Sequence, residues 1–204
     1  MRALISQTTI RNILLVIMLV TGFSKEVSAQ YSNGTSVVYI GSGWTRIHID
    51  GTDEPVSGIL FNLGYDKIYT GGSFSSGVSM HYILSEGDST YTAQGQEYML
   101  SRKGASLPVL FNIRYLLGSD AIKFYLRGSA GGQFTYWKRE TVDGQTVKGD
   151  DFGFAGGFGA GAMIPLGEHT DVSLDYGILW IKNEYYREAA IQSFSLKFGF
   201  LFGG

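Results

Sequence analysis

The sequence predicts an all-β chain, an eight-stranded antiparallel up-and-down transmembrane β-barrel, and three observations carry that prediction. Beyond residue 29 apolar residues recur at every second position, the period of a strand and not the 3.6-residue period of a helix. The segments so marked number eight, an even count that lets a bacterial barrel close. Short and long connections alternate between them, as they do when turns lie on one side of a membrane and loops on the other.

The first strand is expected around Ser36–Ile49. In the second, Ile59, Phe61, Leu63 and Tyr65 alternate with Leu60, Asn62, Gly64 and Asp66. In the third, Phe74, Val78, Met80, Tyr82 and Leu84 alternate with small or polar residues from Ser73 to His81. Leu107, Val109, Phe111, Ile113 and Tyr115 mark the fourth, where Pro108 cannot donate to a ladder and predicts a bulge or a local break. Ile122, Phe124 and Leu126 alternate with Lys123, Tyr125 and Arg127 in the fifth, before Gly128–Gly132 blurs the pattern. Phe152, Phe154 and Phe158 alternate with Gly153, Gly157 and Gly159 in the sixth. Val172, Leu174, Tyr176, Ile178 and Trp180 mark the seventh, and Phe194 to Phe202 the last. The links near 68–71, 117–120 and 166–170 are short. Those at 50–56, 86–97, 138–150 and 183–190 are longer and polar, and they read as extracellular loops.

Residues 1–29 read as a cleaved secretory signal. Arg2 and Arg11 precede an apolar run over 13–20, and Val27-Ser28-Ala29 supplies the small residues of a cleavage site. The run is far short of the ~20 apolar residues that span a bilayer as a helix. The barrel then occupies 30–204, with Gln30 at the mature N-terminus. That span has 13 basic and 17 acidic residues, a net charge of −4, and so lacks the basic footprint of a nucleic-acid binder. With no cysteine in the chain, a disulfide scaffold is excluded.

The polar faces of the strands are mostly Gly, Ser, Asn and Thr, with few of the Lys and Glu residues of soluble strands. Small residues suit the crowded lumen of a narrow barrel, so the aromatic face is placed against lipid. The sixth-strand glycines leave room for Tyr125 and Arg127 projecting inward. Trp44, Trp137, Trp180, Tyr82 and Tyr136 fall near the loop ends, and Tyr65, Tyr69 and Tyr115 near the turn ends. Together they are expected to form an aromatic girdle at the two interfaces.

Four stretches resemble a known family: "VSA-Q" at the cleavage site, "LPVLFNIRY" at 107–115, "GFAGGFGAGAMIPL" at 153–166, and "DVSLDYGIL" at 171–179 followed by "SFSLKFGFLF". The chain resembles the outer-membrane β-barrel, or porin-family, proteins common in Bacteroidetes, which are similar in shape to the OmpA transmembrane domain. The resemblance implies residence in the cell outer membrane among lipid and lipopolysaccharide, and delivery by the barrel-assembly machinery. The last strand, through Phe198, Phe200 and Phe202, is the implied assembly signal. It departs from the family pattern in ending on Gly203-Gly204 and in placing Lys197 where a glycine is usual.

Inward charges gather at the periplasmic end: Asp66, Arg114, Lys123, Arg127, Asp175 and Lys197. Such groups need partners because they have left bulk water, so a salt-bridged plug is expected. Asp175 is expected almost opposite Lys197, and four bases face two acids. The histidines His48, His81 and His169 are scattered, and no G-x-S-x-G or H-E-x-x-H motif accompanies them. The acidic segment 50–54 lacks the spacing of a calcium loop. The expectation is therefore a non-enzymatic, monomeric barrel without cofactor or metal. Its role would be structural, or a surface interaction through the four loops. A narrow diffusion channel and a lipid-modifying enzyme using His48 are the alternatives.

Overall fold

The computed structural model describes residues 31, 33–49, 55–69, 73–93, 96–118, 121–140, 146–183 and 187–203. The predicted signal at 1–29, Gln30 and the acidic loop at 50–54 lie outside them. Eight strands run in order: β1 (Ser36–Ile49), β2 (Val56–Tyr69), β3 (Phe74–Ala93), β4 (Gln96–Gly118), β5 (Lys123–Glu140), β6 (Thr146–Gly167), β7 (Thr170–Asn183) and β8 (Arg187–Phe202). Each pairs antiparallel with its sequence neighbour, and β1 pairs with β8 from Ser36↔Phe202 to Ile49↔Ala189, which closes the ring.

Closure removes both sheet edges within the barrel wall, and every strand then presents one face inward and one outward. In β2 the alternation is complete, with buried and exposed residues exchanging at every position from Val56 to Tyr69. Outward stand Ile59, Phe61, Leu63, Phe111, Phe158 and the whole Phe194–Phe202 series, all exposed. The buried ionic side chains, Asp66, Arg114, Arg127, Asp175 and Lys197 among them, stand inward. This polarity is the reverse of a water-soluble barrel and makes lipid the solvent of the outer face. From Ile59 to Tyr69 the outer face of β2 covers ten steps, apolar or aromatic except for Lys67 near the turn; at about 3.3 Å per step and a tilt near 40° it spans about 25 Å.

Two expectations about the ladders are refined. Between Met80↔Val109 and Ile83↔Ser106 two pairs are missing while the register is unchanged, so Pro108 produces a break without a bulge. The register shift occurs instead between Pro165 and Gly167, at the β6–β7 turn. The expected loops at 86–97 and 138–150 are corrected: most of both is strand. The β3–β4 ladder continues to Ala93↔Gln96 and the β5–β6 ladder to Glu140↔Thr146. Past the membrane neither face must be apolar, so hydrophobic alternation fades while backbone pairing continues.

Candidate functional site: a layered lumen

The lumen is built in three layers. At the periplasmic end Tyr31, Val37, Tyr39, Ile68, Leu116, Tyr125, Met163 and Leu201 pack together. Toward the extracellular end Ile47, Val56, Leu60, Ile83, Leu110, Ala155, Ile181, Ala189 and Ile191 form a second apolar layer. Ionic and polar groups lie between the two.

In that middle layer Arg114 pairs with Asp66 at 2.5 Å, and its guanidinium lies 4.9 Å from the Tyr39 ring centre and 5.1 Å from that of Tyr125. Asp175 receives Arg127 Nη2 at 3.1 Å on one oxygen; the other takes Lys197 Nζ at 3.1 Å and the Tyr125 hydroxyl at 2.5 Å. Lys197 also stands 5.2 Å from the Tyr39 ring centre. Thus five of the six predicted inward charges meet in one network. Two rings share their negative faces with its cations.

Glycine makes the network possible. Tyr125, Gly161 and Asp175 lie side by side on β5, β6 and β7. A Cβ on Gly161 would enter the Tyr125 ring, and one on Gly64 would enter that of Tyr39. Arg127 uses two such spaces, since a Cβ on Gly159 or Gly177 would come within 2.9 or 2.8 Å of its Nη2.

Three particulars differ from expectation. Lys123 is half-buried at the start of β5, where the strand has only just entered the rim, and is not among the fully buried charges. Asp171 takes the sixth place: it is 3% exposed and accepts a hydrogen bond from the Tyr31 hydroxyl at 3.0 Å. Burial raises the Tyr31 hydroxyl above the usual phenol range, and Asp171 adds to the effect. Among the described residues the buried charges are therefore Asp66, Asp171 and Asp175 against Arg114, Arg127 and Lys197, an even balance in place of four bases to two acids. Finally, Asp175 faces Ser195 in register and Lys197 faces Ser173, so that pair meets diagonally.

Above the ions a neutral chain runs along the inner wall over β5, β4 and β3. Ser129 Oγ donates to Asn112 Oδ1 at 2.8 Å, Asn112 Nδ2 donates to Ser79 Oγ at 2.8 Å, and Ser79 Oγ lies 3.0 Å from His81 Nε2. This His–Ser pair is buried. His48 is exposed on the outer face, diagonal to Ser57 across β1 and β2, and no hydrogen bond joins the two. His169 lies in the β6–β7 turn. Among the described residues one small void touches the middle of the lumen, about 20 Å³ beside Arg127, His81 and Ser129, room for a single water.

On the outer face Trp44, Trp180, Tyr82 and Tyr136 stand exposed toward the extracellular end and Tyr65, Tyr69 and Tyr115 toward the turns. Trp137 is corrected. Counting by twos from Arg127 reaches Gln133, Thr135 and Trp137, so this ring points into the barrel mouth, half-buried against Gly149. Phe198, Phe200 and Phe202 are exposed on the lipid side.

An inside-out ring of eight strands filled by side chains is the architecture of small bacterial outer-membrane barrels. Over residues 15–202 the sequence matches the family described as "Outer membrane protein beta-barrel domain". The chain belongs to that family. It is an outer-membrane β-barrel, and its lipid-facing surface is set by the outer membrane. Among solved structures it is similar to Ail, the attachment invasion locus protein of Yersinia pestis, with 17% identity and a TM-score of 0.54 over 83% of this chain and 99% of that one. Neisserial surface protein A is similar too, with 14% identity and a TM-score of 0.56 over 83% and 100%. Ail has also been crystallised with the heparin analogue sucrose octasulfate; that structure matches with 17% identity and a TM-score of 0.51, over 83% of this chain and 99% of that one. At these identities the likeness is one of fold. No curated protein matches the sequence.

Proposed function

We propose that this barrel is a rigid outer-membrane anchor that presents its extracellular hairpins, foremost β3–β4, to a partner surface. One observation carries the reading. Beyond the Leu84↔Ala105 pair the β3–β4 ladder adds nine further pairs, about 30 Å of paired strand at 3.3 Å per residue. The β5–β6 ladder adds four beyond Tyr136↔Asp150, and β1–β2 adds three beyond Trp44↔Ile59. A lumen locked by buried ion pairs gives that extension a fixed base. Ail, named for attachment and invasion, offers a precedent on the same fold.

In this reading residues 1–29 are a cleaved signal and Gln30 begins the mature chain. The barrel-assembly machinery reads Phe198, Phe200 and Phe202, and the protein works as a monomer without a cofactor, enzyme activity or nucleic-acid partner. The resemblance of its strand motifs to Bacteroidetes proteins belongs to the same reading. The upper apolar layer argues against a narrow diffusion channel, and the separation of His48 from Ser57 argues against a lipid-modifying enzyme. The test is adhesion of cells displaying the full chain to matrix-coated surfaces, against cells displaying equal amounts of a variant with 88–101 replaced by a tight turn. Loss of adhesion in the variant is expected; equal adhesion would overturn the proposal.

A further inference from the structure

Inside the lumen, the even count of buried charges hides an uneven placement. Asp171 is held by the Tyr31 hydroxyl, four residues nearer the β6–β7 turn than Asp175. Arg114, Arg127 and Lys197 are left to share two carboxylates: Asp66 takes Arg114, and Asp175 takes both Arg127 and Lys197. Arg114 and Arg127 are also a direct cross-strand pair of β4 and β5, side by side on the inner face. Like charges placed opposite one another repel, and more so away from water.

The two guanidinium groups have donors to spare. Arg127 gives Nη2 to Asp175, and Arg114 gives Nη1 to Asp66. Nε and Nη1 of Arg127, with Nε and Nη2 of Arg114, are buried and meet no hydrogen-bond partner among the described residues. A buried donor without an acceptor is costly, and a charged one most of all. The cavity of about 20 Å³ lies against the same Arg127 side chain, itself only 7% exposed, and His81, Ser129 and Ser193 complete its polar lining. Leu60, Ile83 and Ile191, which also line it, belong to the apolar layer that closes it on the extracellular side. Its size suits one water or one halide ion and rejects a phosphate or a carboxylate.

We infer that this cavity is a binding site for a single small anion of the halide class, taken up as the barrel folds and held by Arg127. Charge decides between the two occupants that fit. A water would accept a hydrogen bond from Arg127 yet leave the facing arginines uncompensated. A halide ion accepts from several donors at once and supplies the negative charge that Asp171, placed nearer the turn, does not. Ser193, whose hydroxyl makes only a 3.4 Å bond to the Gly177 carbonyl, can turn its proton to the ion. The apolar layers on either side of the ionic one keep the ion with the folded chain. The site is independent of what the extracellular hairpins contact.

Bromide is the probe that tests the inference. The full chain is refolded in neutral detergent with sodium bromide as the only halide and exchanged into halide-free acetate, and its bromine is measured by elemental mass spectrometry. Crystals grown in bromide locate the ion by anomalous scattering. One bromide per barrel is expected, with a single lumenal peak within hydrogen-bond reach of Arg127. Arg127→Met should lose it. Ser129→Leu fills the cavity, keeps both arginines and should lose it too, so the test stands even where Arg127→Met fails to fold. Lys182→Gln, on the outer face, should retain it. Each variant is first checked for the heat-modified gel shift of a folded barrel. No lumenal bromine peak in the native barrel, bromide held only on the outer surface, or undiminished retention in the folded Ser129→Leu barrel would overturn the assignment.

Discussion

Tyr125 donates its hydroxyl proton to Asp175 at 2.5 Å across an intervening strand, passing over Gly161. A strand thus carries glycine where its two neighbours must touch. Tyr39 over Gly64, and Arg127 over Gly159 and Gly177, repeat the device. The glycine richness of the chain is therefore in part the imprint of its lumenal side chains.

The first prediction concerns that space. Gly161→Ala should destabilise the folded barrel by about 1–3 kcal/mol, since its Cβ would meet both the Leu174 carbonyl oxygen on β7 and the Tyr125 ring, displacing the ring from Asp175. Gly128→Ala, where nothing lies within 4 Å of a Cβ, is the matched control and should change stability little. Chemical unfolding in detergent or vesicles measures both; equal effects would show that lumenal space is not the constraint.

Removing the acid at the centre should be more severe. Asp175→Ala leaves Arg127 and Lys197 buried without their shared carboxylate, a loss of about 3–5 kcal/mol. Adding Lys197→Met should recover part of it, because one of the two stranded charges is then gone. The heat-modified gel shift and the melting temperature report both. An unchanged Asp175→Ala barrel would refute the ionic layer as a structural element.

Single-tryptophan variants separate height from face. In vesicles of brominated lipid, Trp44 and Trp180 should be strongly quenched and Trp137 weakly, since Trp137 turns into the barrel mouth. Quenching of Trp137 equal to that of Trp180 would restore it to the girdle.

Replacing 88–101 with a tight turn should leave the melting temperature of the barrel nearly unchanged, because the β3–β4 pairs removed lie beyond the membrane rows. A large drop would mean that the hairpin supports the barrel instead of being carried by it.

How far the sequence discloses this arrangement depends on what marks each residue. Lipid demands an apolar outer face, so the strands, their inward partners and the closure of β8 on β1 show as a period of two. Asp66, Arg114, Arg127, Asp175 and Lys197 fall out of that count directly. Asp171 lies on the same inward count as Ser173 and Asp175, but it sits beside the β6–β7 turn and its partner Tyr31 belongs to no strand, so nothing periodic points to that contact. Trp137 is misjudged because Gly128–Gly132 has no apolar side chain larger than that of Ala130 to carry the phase; counting through it by twos reaches the inward face. The long β3–β4 ladder is hidden for a different reason. Above the bilayer no solvent enforces alternation, and only backbone pairing remains.

The central claim is that the lumen is closed and the protein acts through its outer surfaces, and planar-bilayer conductance tests it most directly. The purified full chain should insert without discrete openings, because Leu60, Ile83, Leu110 and Ile191 fill the upper layer. Replacing Leu60, Ile83 and Ile191 with glycine should create openings that the native chain lacks. Steady unitary openings from the native chain, abolished by Leu60→Trp, would contradict the account and make the barrel a channel.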